Sequence, residues 1–279
     1  MTTYALNGLG RIGKLALRPL LEQGAKIAFI NDAVGAPEMH AHLLEFDSVH
    51  GRWPATFSAE EHAITIDGTR IPVTSTKSIT DLPLEGVDVV IDCTGAFKTE
   101  AKLAPYFEAG VKKVVVSAPV KDGPTANIVY GVNDDTYDPA THSIVTAASC
   151  TTNCLAPLAK VLNDTIGIER GIMTTIHSYT GDQPTLDRRH KDLYRARAAA
   201  MSMIPTSTGA AKALGEVLPE LAGKLDGSAI RVPTPNVSAV DLTFTAGKDV
   251  TVADINEIMR EAAEGAMKGV LGYEEAPLV

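Results

Sequence analysis

The chain runs to 279 residues, enough to bury a large core in one domain or in two smaller ones. With 45% hydrophobic and 21% charged residues it has the make-up of a globular protein, and no apolar run approaches the length of a membrane span. A formal net charge of -9 argues against a nonspecific nucleic-acid binder or an anionic-membrane binder, but leaves room for a local basic pocket that takes a phosphorylated metabolite. Cys93, Cys150 and Cys154 leave one cysteine unpaired in any disulfide scheme, and the chain starts on a strand pattern rather than a basic, apolar leader. Both features point to a reducing cytoplasm. No metal site is expected.

The first predicted strand, Tyr4 to Asn7, runs into Gly8-Leu9-Gly10-Arg11-Ile12-Gly13 and a helix through about Leu21. The next apolar run, Lys26 to Ile30, ends in Asn31-Asp32. This is strand, glycine loop, helix, strand and acid, with the acid about 20 residues past the glycines, as a dinucleotide site requires. Gly8 allows the tight turn, Gly10 lets backbone approach a pyrophosphate, and Gly13 lets helix and strand pack closely. The pyrophosphate then sits at the helix N-terminus. A lone glycine pattern is often only a turn; in register with its strand, helix and acid it carries far more weight.

Further strands are predicted at Val87 to Ile91, Val114 to Ser117 and Ile144 to Ala147, with a helix from Thr99 to Ala109 between the first two. Alternating strands and helices predict a parallel, doubly wound sheet. Cys93, at the end of one such strand, reads as structural, with no histidine or base near it in sequence.

The character changes at Ser149-Cys150-Thr151-Thr152-Asn153-Cys154. A helix is predicted from Cys154 to Asn163, then a strand from Gly171 to His177. A polar, basic stretch from Asp182 to Met203 precedes a helix from Gly209 to about Leu218. Alternating runs at Ser228 to Val232 and Ala239 to Thr245, with a helix from Val252 to about Met267, suit an antiparallel sheet packed on helices. The expected organisation is α/β: a Rossmann-type NAD(P)-binding domain over residues 1–148, then an α+β catalytic domain with a mostly antiparallel sheet over residues 149–279. Chemistry at an inter-domain cleft would fit a boundary so close to Cys150.

Cys150 at a strand-to-helix junction and His177 on the next strand make a thiolate nucleophile with an imidazole partner. A helix N-terminus or a nearby imidazolium lowers a thiol pKa from its usual value near 8.5. The plainer alternative is a buried cysteine beside a core histidine, which the hydroxyl-rich flanks disfavour.

Taken together, these motifs resemble the phosphorylating glyceraldehyde-3-phosphate dehydrogenases from the first strand onward. The resemblance rests on Asn7 to Gly13, Asp47 to Arg52, Ser149 to Cys154, His177 to Thr180, Arg195 to Ala200, Ile204 to Lys212 and Arg231 to Pro235. It implies that Cys150 attacks an aldehyde carbon, that His177 serves as base and oxyanion partner, and that Asn153 orients the loop. It implies a substrate-phosphate site at Thr180, Asp182 and Arg231, and an attacking-phosphate site at Ser149, Thr151, Thr208 and Gly209. For residues 206–209 a plain helix cap is the competing reading. Arg195 joins the phosphate set, although a subunit contact ranks above catalysis for it and for Arg197. Cofactor contacts are expected from Asn7, Gly8, Gly10, Arg11, Ile12, Gly13, Asp32, Lys77 and Ser117. The implied partners are a phosphorylated aldehyde and inorganic phosphate, in a homotetramer with Asp182 to Met203 lining subunit contacts.

The chain also departs from the resemblance. It stops at Val279, before the family's Asn-Glu-Trp-Gly-Tyr motif and final helix, and so before the asparagine that fixes the nicotinamide carboxamide. An open sheet edge, an uncovered apolar surface and even a catalytically silent cofactor-binding protein are the corresponding expectations. Asp32 favours NAD, because a carboxylate accepts from the ribose 2′-OH and repels a 2′-phosphate. Asp187-Arg188-Arg189 replaces the usual Leu-Pro and leaves NADP open, with a surface charge pair as the alternative. Erythrose 4-phosphate as substrate and arsenate in place of phosphate stay open as well.

Overall fold

The computed structural model describes residues 1–120 and 122–278. They form two compact units, Met1–Asn127 with Thr136–Ala147, and Ile128–Asp135 with the residues from Ala148 on.

The first unit is built on one large sheet. Its elements in chain order are β1 (Thr3–Asn7), α1 (Arg11–Glu22), β2 (Lys26–Asn31), α2 (Pro37–Glu45), a small ribbon of β3 (Phe46–Asp47) and β4 (Gly51–Arg52), β5 (Phe57–Glu60), β6 (Ala63–Ile66), β7 (Thr69–Thr74), β8 (Val89–Asp92), α3 (Glu100–Glu108), β9 (Lys113–Val116), β10 (Thr125–Asn127) and β11 (Ile144–Thr146). The sheet order is β10-β11-β9-β8-β1-β2-β7-β6-β5. It is parallel from β10 to β7 and closes with an antiparallel meander through β6 and β5.

Strand periodicity sorts its side chains into two layers. Ala5, Phe29 and Val90 pack on one face with Leu103 and Tyr106 of α3. Their neighbours Leu6, Ile30 and Ile91 point the other way, toward Leu17 of α1 and Ala41 and Leu44 of α2. Strands buried on both faces read as continuous apolar runs, which is why β1, β2 and β8 were visible in sequence. Trp53, the only tryptophan of the chain, packs half-buried on the α1/α2 side, edge-on to Phe57.

The second unit comprises α4 (Cys150–Ile166), β12 (Ile168–Ser178), β13 (Ile204–Ser207), α5 (Ala210–Val217), β14 (Leu225–Val232), β15 (Ser238–Ala246) and α6 (Val252–Glu264). Its sheet runs β13-β14-β12-β15. Leu155, Ala159, Leu162 and Ile166 mark a helical stripe on α4 that joins Ala210, Leu214 and Val217 of α5 and Met173 of the sheet in one core. Ile255, Ile258 and Met259 of α6 pack against its margin. The other sheet face carries Arg170, Ile172, Thr174, Asp241 and Thr243 around an open groove of about 530 Å³. Ile172 there is 65% exposed.

Two helix bounds change. The helix expected from Cys154 begins at Cys150, because the Ser149 hydroxyl caps it by accepting from Thr152 N at 3.1 Å. The sheet is mostly antiparallel, as expected: β15 runs antiparallel to β12 and β13 to β14, while β14 is parallel to β12. The last helix stops at Glu264, where Gly265 takes the C-cap. Helix α2 and the strands β3 to β7, β10 and β13 were not predicted. Among the described residues no helix is long and apolar enough to cross a membrane.

Candidate active site and dinucleotide pocket

Ala148, with φ of +51°, takes a left-handed backbone that costs a non-glycine residue about 1–2 kcal/mol. Ser149 and Cys150 follow at once as N-cap and first residue of α4. Cys150 Sγ lies 3.1 Å from His177 Nε2. The hydrogen bond from His177 is the largest influence on the thiol; it outweighs partial burial and, with Thr151, brings the pKa from 9.0 to about 7. The neighbouring Cys154 moves the opposite way, raised by burial and then by Cys150.

Sheet register explains the next residue. In the parallel pair β12–β14, His177 stands beside Arg231. Arg231 Nη1 is 2.7 Å from His177 Nδ1 and 2.8 Å from the Ser178 carbonyl, which is itself 2.7 Å from Nδ1. A guanidinium only donates. The roles at Nδ1 depend on the tautomer: a proton there goes to the Ser178 carbonyl and leaves Nε2 to accept from sulfur, whereas a bond from Arg231 to Nδ1 requires the proton on Nε2. Burial, then the charge of Arg195, lowers the Arg231 pKa, while Cys150 and Asp182 partly offset them. Arg231 Nε is buried with no partner among the described residues.

Asp182 is held rather than free. Its carboxylate accepts from Arg195 Nη1 at 2.7 Å, His190 Nε2 lies 3.1 Å away, and Gln183 Nε2 donates to it at 3.1 Å. Burial alone would raise its pKa; the bonds from Arg195 and His190 prevail and lower it. Arg195 also donates from Nε to Thr206 Oγ1 at 2.9 Å and from Nη2 to the Ser207 carbonyl at 3.2 Å. Thr180 N donates to Gln183 Oε1 at 3.0 Å. The structure therefore brings Arg195 together with Asp182, whereas the Arg197 side chain makes an exposed pair with Asp187 at 2.9 Å. Arg188 and Arg189 are exposed too. At the start of α5, Gly209 is the N-cap and Thr208 Oγ1 accepts from Ala210 N at 3.2 Å. Asn153 Nδ2 donates to the Ser149 carbonyl at 2.9 Å.

In the first unit, a pocket of about 380 Å³ is lined by Asn7, Gly8, Gly10, Asp32, Lys77 and Thr94, among others. Gly8 has φ of +95°, and a Cβ there would stand 2.7 Å from Cys93 backbone. A Cβ on Gly13 would stand 1.9 Å from the Gly8 carbonyl oxygen, whereas one on Gly10 would meet nothing within 4 Å. Gly10 thus faces open space at the start of α1, where a pyrophosphate would approach. Asp32 accepts from Leu9 N at 2.8 Å and from Val34 N at 3.0 Å, which ties the acid to the glycine loop. Arg11 pairs with Asp47 at 3.0 Å, and Ile12 is 53% exposed. Ser117 is not among the residues lining this pocket; it donates from its backbone N to Asp92 O at 2.9 Å and bonds through its side chain to Cys93. Burial pushes the Cys93 thiol up to about 11, so it is inert.

Residues 2–100 match the family model of the glyceraldehyde 3-phosphate dehydrogenase NAD binding domain, and residues 149–279 match that of the C-terminal domain. A glyceraldehyde-3-phosphate dehydrogenase of Cereibacter sphaeroides is 56% identical over 99% of this chain and 83% of its own. One from Xanthobacter flavus is 55% identical over the same shares, and one from Geobacillus stearothermophilus is 51% identical over 98% and 82%. The chain belongs to the glyceraldehyde-3-phosphate dehydrogenase family.

NAD is the cofactor that comes with this family's first domain, and the pocket fits it: glycines where backbone must approach, an open helix N-terminus and a carboxylate held at the end of β2. Bound NAD supplies a hydride acceptor. Three polar residues of the family's second domain escaped sequence reasoning: Gln183, His190 and Asp192. Asp192 accepts from Thr206 Oγ1 at 2.7 Å, extending the network that holds Arg195. Their only sequence signal was a hydroxyl- and charge-rich loop, which looks the same when it is solvated.

Proposed function

We propose that this oxidoreductase is a phosphorylating glyceraldehyde-3-phosphate dehydrogenase, with residues 1–148 binding NAD and residues 149–279 carrying the chemistry. The observation that supports it best is the 3.1 Å Cys150–His177 contact at the N-terminus of α4, with Arg231 registered beside the imidazole.

As sulfur adds to the aldehyde carbon, His177 holds the proton of the Cys150 thiol at Nε2 as an imidazolium and passes it to the new alkoxide, giving a hemithioacetal. His177 takes that hydroxyl proton back as hydride departs, leaving a thioester on Cys150. Phosphate oxygen attacks the thioester carbon, the C–S bond breaks, and the products are an acyl phosphate and the free thiolate. Arg231, with its uncommitted Nε, and Arg195 present two guanidiniums close enough to disfavour each other, a cost that a dianionic phosphate would relieve. Asp182 orients Arg195 in this scheme, and Thr180 completes the substrate-phosphate site. Thr151, Thr208 and the backbone at Gly209 offer the second anion site, while the Ser149 hydroxyl is engaged as the cap.

Asp32 selects NAD over NADP, and exposed Arg188 and Arg189 act as surface charges. The assembly is a homotetramer, which would cover the groove around Ile172. The test is NAD reduction with glyceraldehyde 3-phosphate, with and without phosphate. Turnover that continues undiminished without phosphate or arsenate defeats the proposal.

A further inference from the structure

Beneath the dinucleotide pocket lies a polar cluster where core packing alone would put hydrocarbon. Asp92 and Tyr106 are 0% exposed, and Asn7 and Asn31 are 3% exposed. Among the described residues, the Asp92 carboxylate is held by hydrogen-bond donors. Its Oδ1 accepts from Thr94 N at 3.0 Å and Thr94 Oγ1 at 2.7 Å; its Oδ2 accepts from the Tyr106 hydroxyl at 2.8 Å and lies 3.5 Å from Asn7 Nδ2. Asn7 Nδ2 donates to the Tyr106 hydroxyl at 2.6 Å, and Asn7 Oδ1 accepts from Asn31 Nδ2 at 2.7 Å. Asn31 then reaches Thr76, accepting from its N at 2.9 Å and donating to its O at 3.1 Å.

The geography matters more than the count of bonds. Strands β8, β1, β2 and β7 are adjacent in that order, and the cluster crosses all of them at their C-terminal ends. Thr94, Asn7, Asn31 and Thr76 each line the 380 Å³ pocket, whereas Asp92 and Tyr106 do not. The hydroxyl of Tyr106 accepts from Asn7 and gives its proton to Asp92, which fixes the Asn7 amide with its oxygen toward Asn31. A buried carboxylate costs more than a hydrocarbon of the same volume, so stability does not account for it.

We propose that Asp92 and Tyr106 are positioning residues for the cofactor: the relay from Thr94 through Asp92, Tyr106, Asn7 and Asn31 to Thr76 sets the spacing of the pocket walls. NAD affinity depends on this relay; the nucleophile does not. The proposal rests on NAD occupying this pocket. Removing one oxygen in Tyr106→Phe leaves Asn7 and Asp92 each short of a partner, and the walls lose their common reference.

The experiment is calorimetric titration of NAD into the whole protein, beside thermal melts and the pH profile of Cys150 alkylation without NAD. Tyr106→Phe and Asp92→Asn are expected to weaken NAD about tenfold or more, with the alkylation profile unmoved. Leu103→Ala, on the same helix and fully buried but outside the relay, is expected to lower the melting temperature and leave NAD affinity alone. NAD binding within twofold of wild type in either relay variant that folds overturns the proposal, as does an equal loss in Leu103→Ala. A wild-type protein that does not bind NAD would count against the pocket assignment instead.

Discussion

Cys150 owes its reactivity to two local facts: its place at the first position of α4 and the 3.1 Å approach of His177. The hydrogen bond from His177 comes first among the influences that bring the thiol to about 7. The rate of iodoacetamide alkylation at Cys150 should therefore rise through a midpoint near pH 7, not 9. In His177→Asn partial burial is less opposed, and the midpoint should climb toward 9 or beyond. The sign for folding is the same: a depressed thiol pKa adds nothing to stability below the folded value near 7 and its full share above the unfolded 9.0. Cys150→Ser should fold and bind NAD, yet lose turnover by about a thousandfold or more; retention of the dehydrogenase rate would remove sulfur from the mechanism. These residues were legible because a thiol and an imidazole carry chemistry in their names. Gln183 and His190 were not, since an amide and a ring in a polar loop gain a role only when the fold brings them to Thr180 and Asp182.

At the scale of elements, the glycine loop between β1 and α1 separates two kinds of requirement. Gly13 is packed: a Cβ there would stand 1.9 Å from the Gly8 carbonyl oxygen. Gly10 is open: a Cβ there would meet nothing within 4 Å. Gly13→Ala should lower the melting temperature and weaken NAD together. Gly10→Ala should leave the melting temperature of the NAD-free protein almost unchanged and weaken NAD alone, as titration and a thermal melt would show. Equal effects in both would mean that the pyrophosphate does not approach at Gly10. The parallel strands were legible because strands buried on both faces are continuously apolar. The meander β5–β7 was overlooked although Asp67-Gly68, both with positive φ, is a strong hairpin signal. Strand β13 gave no signal at all: Pro205, Thr206 and Ser207 read as a loop, and only pairing with β14 makes them a strand. The early start of α4 was hidden because a cap and a loop use the same serine and threonines.

At the scale of the molecule, cofactor choice and assembly follow from surfaces. Arg188 and Arg189 are exposed, so Arg188→Ala with Arg189→Ala should change the ratio of NAD to NADP turnover by less than about threefold, whereas Asp32→Ala should raise relative NADP use by about tenfold or more. Steady-state kinetics with both cofactors checks both statements. Sedimentation should find a tetramer, and Ile172→Arg, which puts charge on the open sheet face, should shift it toward smaller species. Fold class and cofactor were legible because they depend on patterns close in sequence. The phosphate network was only partly so, because Asp182, Arg195, Thr206 and Arg231 meet through a long loop and a sheet register that no local pattern encodes.

The placement of Trp53 has a consequence of a different kind. As the chain's only indole, set against Phe57 in the first unit, it makes ultraviolet-excited emission a reporter of that unit by itself. The thiolate character of Cys150, which depends on the folded contact with His177, reports the other. Following emission wavelength and the Cys150 alkylation rate along one denaturant series would therefore give each unit its own unfolding curve, without an inserted probe.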